Sequence, residues 1–282
     1  MSRLIDGKAL AADIRADVAK RAEALAAQGI TPRLAIVLPT EDESAAWYVR
    51  SLQRATDKVG IHCLIEKLEK PNGSSLAELL ARLSAAPNVH GVMCQTPLPD
   101  GLTLAEVGAH IAVAKDVDGA NPESLGRLAA GVPDTFAPAT AAAVLQILHA
   151  EKVPLLGKRV VVVGRSTVVG KPAALLLLAE HATVTICHSR TADLPAVTRE
   201  ADVLIAAVGR ARMLGAGYVS PGTVVIDVGT NPTEDGGLVG DVDTDAVFEQ
   251  AAAITPVPGG VGPVTTALLL RHVVEAAEST VD

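Results

Sequence analysis

The stretch VVVVGRSTVVGKP, residues 160–172, constrains the fold more than any other part of the chain. Four consecutive valines read as a strand buried on both faces, and Gly164 ends the run. Gly170-Lys171-Pro172 then opens AALLLLAEHA, whose composition is that of a helix. A strand, a glycine turn and a helix N-terminus together form a cradle for phosphate, because free N–H groups and the helix dipole both face the anion. A nucleoside-triphosphate loop is excluded by spacing and chemistry. That loop has four residues between its glycines and a Ser or Thr after the Lys to hold magnesium. Here five residues intervene and Pro172 follows. The pattern G-x-S-x-x-x-G is a stretched dinucleotide turn with Ser166 where the second glycine would stand. Taken alone it also fits a structural turn without a ligand.

This turn sits in a chain of 282 residues, long enough for two modest domains with real cores. Aromatic residues make up only 2%, so those cores must be built from Ala, Val and Leu. The net charge of −8 argues against a nucleic-acid or anionic-membrane partner, either of which needs a basic face. Cys63, Cys94 and Cys187 lie apart in apolar runs, which predicts reduced thiols rather than a metal site or a disulfide. No metal site is expected. MSRLIDGKAL has no signal-like apolar segment and no apolar run reaches membrane length, so a cytoplasmic location is expected.

Along the chain, helical and strand patterns alternate. Leu10, Ile14, Val18 and Leu25 recur at helical spacing between Lys8 and Gly29. RLAIVL (33–38) reads as a strand, 44–59 as a helix, HCLIEKL as a strand, SLAELLARLSAA as a helix and HGVMCQTP as a strand. TAAAVLQILHAE follows Pro138 as a helix, and strands recur at TVTICH, DVLIAAVG and GTVVIDVG. The pattern predicts two α/β domains with parallel sheets, the C-terminal one a Rossmann-type dinucleotide-binding domain. The seam is expected within 133–143.

In such a domain the residue closing the second strand selects the cofactor, since an acid there binds a ribose 2′-hydroxyl and repels a 2′-phosphate. TVTICH closes on His188-Ser189-Arg190, with no acid before Asp193. A hydroxyl and a guanidinium suit a phosphate, and Arg165 stands in the neighbouring turn. NADP is therefore the expected cofactor; a solvated polar loop is the bland reading of Arg190 alone.

GRSTVVGKP, ATVTICHSRT, KDVDG, CQTPLP, VIDVG with GDVD, and TPVPGGVGPVT together resemble the bifunctional methylenetetrahydrofolate dehydrogenase/cyclohydrolase family, from about residue 5 to 277. The resemblance implies oxidation of methylenetetrahydrofolate with NADP, followed by hydration of the methenyl product to formyltetrahydrofolate. It implies a catalytic folate-binding domain over 1–140, completed by a helix at 266–282, an NADP domain over 141–265, and a substrate cleft between them. A homodimer through the nucleotide domain is implied in the same way. Tyr48 matches the tyrosine that stacks on the folate, Gln95 the glutamine beside the catalytic lysine, and Asp118 the carboxylate that anchors the pterin. Pro258, Gly259, Gly260 and Pro263 match the loop that the folate approaches closely. Gly164, Arg165, Ser166, Val169, Gly170, Ser189, Arg190 and Thr230 match cofactor-binding positions. Singly, Tyr48 also reads as a packing aromatic, Asp118 as a cap and PGG as a turn.

One departure matters most. The family places a lysine one helical turn after the tyrosine, and YVRSLQR has Leu52 there. Leucine cannot move a proton, and Arg54 lies on another part of the helix and holds its proton too tightly. Ala120 and Asn121 replace a usual bulky aromatic and histidine. APATAAA lacks the Cys, second Pro and Gly of the usual motif, and PTEDES keeps only Ser44 of the usual loop. The expectation is a dehydrogenase whose cyclohydrolase step is weak or lost. The alternatives are a family paralogue that uses folate-borne carbon in a dedicated biosynthesis, and a non-catalytic NADP- or folate-binding protein.

Overall fold

The structure is a computed structural model and describes residues 2–281. The chain divides into two compact units, one comprising Ala12–Ala139 with the segment from Thr266 onward, the other the residues up to Ala11 with Thr140–Thr265. In chain order the elements begin with β1 (Arg3–Leu4), α1 (Gly7–Ala27), β2 (Arg33–Leu38), α2 (Glu43–Asp57), β3 (His62–Lys67), α3 (Gly73–Ala85) and β4 (Gly91–Cys94). Then come α4 (Leu104–Gly108), α5 (Pro122–Ala129), α6 (Ala139–Ala150), β5 (Arg159–Val163), α7 (Gly170–Ala179) and β6 (Thr183–Cys187). The rest are α8 (Leu194–Thr198), β7 (Val203–Ala206), β8 (Val224–Asp227), β9 (Asn231–Pro232), β10 (Leu238–Val239), α9 (Thr244–Val247), β11 (Ala253–Ile254) and α10 (Val261–Glu278).

In the first of these units β2 lies between β3 and β4 in a parallel three-stranded sheet. Its central position explains why Leu34–Leu38 is continuously apolar and buried. The helix α2 buries Ala45, Val49, Leu52 and Thr56, one stripe at helical spacing, and its N-terminus is capped by Asp42 accepting from the Ala45 amide. On α3 a reciprocal Asn72–Ser75 capping box starts the helix, and Leu76, Leu79, Leu80 and Leu83 form the inward face. The strand reading of 90–97 is too long at its end. β4 stops at Cys94, where pairing with β2 ends, and Gln95 begins a turn tied back by its amide to the Val37 carbonyl at 2.9 Å.

The other unit has a six-stranded parallel sheet of order β1-β11-β8-β7-β5-β6. The valine run of β5 lies between β7 and the edge strand β6, with Val160–Val163 all buried. From β5 the chain passes through α7 to β6 on one side and then through α8 to β7 on the other, so the strand order reverses between β5 and β7. The reading that kept residues 1–140 together needs one correction. Arg3 and Leu4 pair with Ala253 and Ile254, which makes the first strand an edge of this sheet. Two residues paired to a strand some 250 positions away leave no periodicity to read.

Candidate active site

The dinucleotide turn stands at the carboxyl end of β5, at the point of reversal, where ligands of open α/β sheets bind. Gly164 has φ 134°, and a Cβ there would lie 2.1 Å from the Ala207 carbonyl oxygen, so the turn packs backbone to backbone on the loop after β7. A Cβ on Gly170 would lie 2.2 Å from the Gly164 oxygen. The Ser166 hydroxyl accepts from the amides of Val169 (3.1 Å) and Gly170 (3.4 Å), capping α7 from inside the turn. Among the described residues, the amides of Arg165, Ser166, Thr167 and Val168 donate to no protein group. Consecutive free amides ahead of a helix N-terminus are what a pyrophosphate requires, so these residues fit a dinucleotide.

The neighbouring strand supplies the polar rim. Val163 and Cys187 pair in register, and the Gly164 amide donates to the Cys187 carbonyl at 2.9 Å, which sets the turn after β6 beside the turn after β5. His188 organises the second turn: its amide donates to Thr191 Oγ1 (2.9 Å) and its Nδ1 accepts from the Arg190 amide (3.1 Å). Arg165, Ser166, Ser189, Arg190 and Thr230 are all exposed, as ligand-reading groups must be before the ligand arrives.

A buried acid pair behind this rim went unrecognised in the sequence. Asp241 accepts from the amides of Val208 (2.6 Å), Gly209 (3.0 Å) and Arg210 (2.8 Å) and from the Asn231 side-chain amide (3.0 Å). Asp227 accepts from the amides of Gly229 (2.9 Å), Asp241 (3.0 Å) and Val242 (2.9 Å). Burial pushes the Asp227 carboxyl up to about 6 against those hydrogen bonds, with a smaller push from Asp241. Together the two side chains clasp the loops leaving β7 and β8. The GDVD motif was the available signal.

In the same unit the PGG loop lies on the start of the chain. A Cβ on Gly7 would sit 1.8 Å from the Gly260 oxygen, and one on Gly260 would meet the Pro256 oxygen at 2.6 Å. Gly259 has φ 108°. Pro258 is exposed, and Pro263 lies in the first turn of α10.

The other unit holds Tyr48, Gln95 and Asp118. KDVDG contains two acids with opposite surroundings. Asp116 is fully buried and accepts from the amides of Ala120 (2.8 Å) and Asn121 (2.9 Å) and from the Ser124 hydroxyl (2.6 Å). Asp118 accepts no hydrogen bond from the described residues. Burial first, and the nearby Asp116 charge second, push its carboxyl up to about 7. Tyr48 is close enough for the Asp118 charge to act on it. Burial first and that charge second push the phenol up to about 12, and the phenol is hydrogen-bonded to Thr266. Gln95 is not joined to either of them by a hydrogen bond among the described residues; its side chain donates to the Thr96 carbonyl at 3.0 Å. Leu52 is only 1% exposed and belongs to the core stripe of α2. Asn121 is a structural residue, since its Oδ1 caps α5 by accepting from the Glu123 amide (2.7 Å) and its Nδ2 donates to the Ile111 carbonyl (2.8 Å).

A parallel sheet with a dinucleotide turn at its reversal, joined in one chain to a second α/β unit presenting an unpaired carboxylate, defines a dinucleotide-binding α/β protein of two units. The chain belongs to the tetrahydrofolate dehydrogenase/cyclohydrolase family. The family's catalytic-domain profile matches residues 5–118 and its NAD(P)-binding-domain profile matches residues 138–281. The bifunctional protein FolD of Parafrankia sp. (strain EAN1pec) is 62% identical over 275 residues, covering 98% of this chain and 99% of that protein. Among solved structures, the bifunctional FolD methylenetetrahydrofolate dehydrogenase/cyclohydrolase of Campylobacter jejuni is 39% identical with a TM-score of 0.96. It covers 99% of this chain and 100% of its own. The Trypanosoma brucei N5,N10-methylenetetrahydrofolate dehydrogenase-cyclohydrolase, complexed with NADP cofactor and inhibitor, is 33% identical with a TM-score of 0.93, covering 99% and 98%.

Proposed function

We propose that this protein oxidises methylenetetrahydrofolate to methenyltetrahydrofolate with NADP, and that Leu52 leaves the following hydration slow. The observation that carries the reading is the Asp118 carboxylate, held beside Tyr48 without a protein donor while its neighbour Asp116 is fully satisfied. Two carboxylate oxygens can accept the paired N–H groups of a pterin, and Tyr48 offers the ring face on which it stacks. Donors from that ligand favour the ionised form and draw the Asp118 proton off near neutral pH. Gln95 orients the ligand's polar edge, and the backbone at Pro258, Gly259, Gly260 and Pro263 admits its close approach.

NADP, when bound, accepts a hydride. The amides of 165–168 and the α7 N-terminus hold its pyrophosphate, Val169 and Gly170 line the turn, and Thr230 lies after β8. Arg165, Ser189 and Arg190 take the 2′-phosphate. Hydride transfer depends chiefly on alignment, which these residues supply without moving a proton. Hydration needs a group that activates water, and Leu52 has none. We infer a cytoplasmic homodimer as well. No helix among the described residues is long and apolar enough to cross a membrane, and all three cysteines are free. The unpaired edge of β6, with Ile186 42% and Leu178 59% exposed, suits a second copy; sedimentation as a monomer would refute that arrangement.

The test is to supply the pure protein with methylenetetrahydrofolate and NADP and follow NADPH and methenyl absorbance together. Both rise and the methenyl form accumulates. Absence of NADPH, or efficient conversion through to the formyl product, overturns the corresponding half of the reading. Leu52→Lys restores hydration by about 10²–10⁴-fold. It also lowers the melting temperature, because the new side chain enters a core stripe.

A further inference from the structure

The unit that carries Tyr48 has a second concavity that none of the site residues above lines. Its volume is about 920 Å³, and its wall runs from the end of α1 at Leu25 through Asp134 and Phe136 to His272 and Glu275 on α10. His272 is 5% exposed. Its Nδ1 is 2.8 Å from the Val117 carbonyl oxygen, and because a carbonyl only accepts, Nδ1 carries the proton. Burial drives the ring's pKa down to about 4, so it is neutral at physiological pH. Nε2 is then a bare acceptor, and it has no protein partner among the described residues. His272 lines the cavity, so this unpartnered acceptor is a place for a ligand's donor.

The charge of the wall says which donor. Asp134, Glu275 and Glu278 line the cavity, and no Lys or Arg does. Two of these carboxylates are occupied from behind: Arg21 reaches Glu278 at 2.6 Å and Glu275 at 3.5 Å, and Arg271 reaches Glu275 at 3.6 Å. Asp134 is exposed and joins no ion pair among the described residues. The apolar part of the wall is Leu25, Phe136 and Val281, with the Phe136 ring centroid 5.1 Å from that of His272.

We propose that this cavity binds a small organic ammonium ion. Its N–H donates to His272 Nε2, its charge faces Asp134, and its apolar body lies against Phe136. The imidazole then links ligand to active site, since a donor on Nε2 polarises the ring and strengthens the Nδ1 hydrogen bond to Val117, the residue before Asp118.

Benzylamine is the probe, added to the full chain while the histidine side-chain nitrogens are followed by NMR. The expected result is a saturable change at His272 Nε2. Asp134→Asn should weaken binding about tenfold, the loss of one charge-assisted contact. Asn suits that position because Asp134 has φ 55°, a left-handed backbone that Asn adopts readily, and an unchanged melting temperature confirms the fold. Benzyl alcohol, of similar shape without charge, should bind more weakly than the amine. A His272 signal that does not titrate overturns the proposal. So does equal binding by the Asp134→Asn variant, or by the alcohol.

Discussion

Two aspartates two positions apart show how surroundings, not residue type, assign roles. Asp116 spends both oxygens on three donors that hold the 116–124 turn, while Asp118 is left with none. Replacing Asp118 by Asn should lower turnover or raise the folate KM by about tenfold or more, the worth of a charge-assisted hydrogen bond in a shielded site. Stability near neutral pH should not fall, because the variant loses no protein hydrogen bond. Steady-state kinetics alongside urea unfolding check this, and a variant that unfolds would mark Asp118 as a turn residue. Leu52 teaches a second lesson at this scale: its position one turn after Tyr48 is a site position by sequence and a core position by burial.

The elements of the nucleotide unit are held at their carboxyl ends by side-chain clasps rather than by the sheet alone. Asp241 gathers three successive amides of the loop after β7 and the amide group of Asn231, and Gly164 of the dinucleotide turn packs on that same loop at Ala207. Asp241→Ala leaves buried donors unpaired. It should destabilise the protein by at least about 2 kcal/mol and raise the KM for NADP, with Asp241→Asn milder because one oxygen remains to accept. Equal stability of the Ala variant and the unmodified protein would show that the clasp is idle. On the rim, Arg165→Ala combined with Ser189→Ala should weaken NADP about tenfold more than NAD, since only NADP carries the 2′-phosphate. Binding titrations with both nucleotides decide it, and equal losses would place these side chains elsewhere.

Across the whole molecule two buried groups set opposing pH responses. His272 falls from 6.5 to about 4 on folding, so between those values the unfolded chain binds the extra proton, and stability drops as pH falls through the window. Asp118 rises from 3.8 to about 7, so over that range the folded chain binds the extra proton, and stability increases as pH falls. The two partly cancel between about pH 4 and 6.5. The Asp227 carboxyl, raised to about 6, acts in the same sense as Asp118. In Asp118→Asn the cancellation is therefore reduced, and acid should destabilise the variant more steeply than the unmodified protein. Urea unfolding at a series of pH values measures this, and parallel pH profiles for the two proteins would refute it.

The sequence by itself determined the alternation of strands and helices, the valine strand with its glycine turn, and the absence of an acid closing β6. Each of these is written in neighbouring residues, as an apolar run, a period or a fixed offset. Tertiary structure alone decided that Arg3–Leu4 joins the sheet at β11, because strand pairing at long range leaves no local pattern. It alone separated Asp116 from Asp118, turned Asn121 into the cap of α5, and buried His272 with one nitrogen on Val117. These outcomes depend on which groups lose water together and which find a donor when they do. That is a property of the packed chain, to which residues remote in sequence contribute equally.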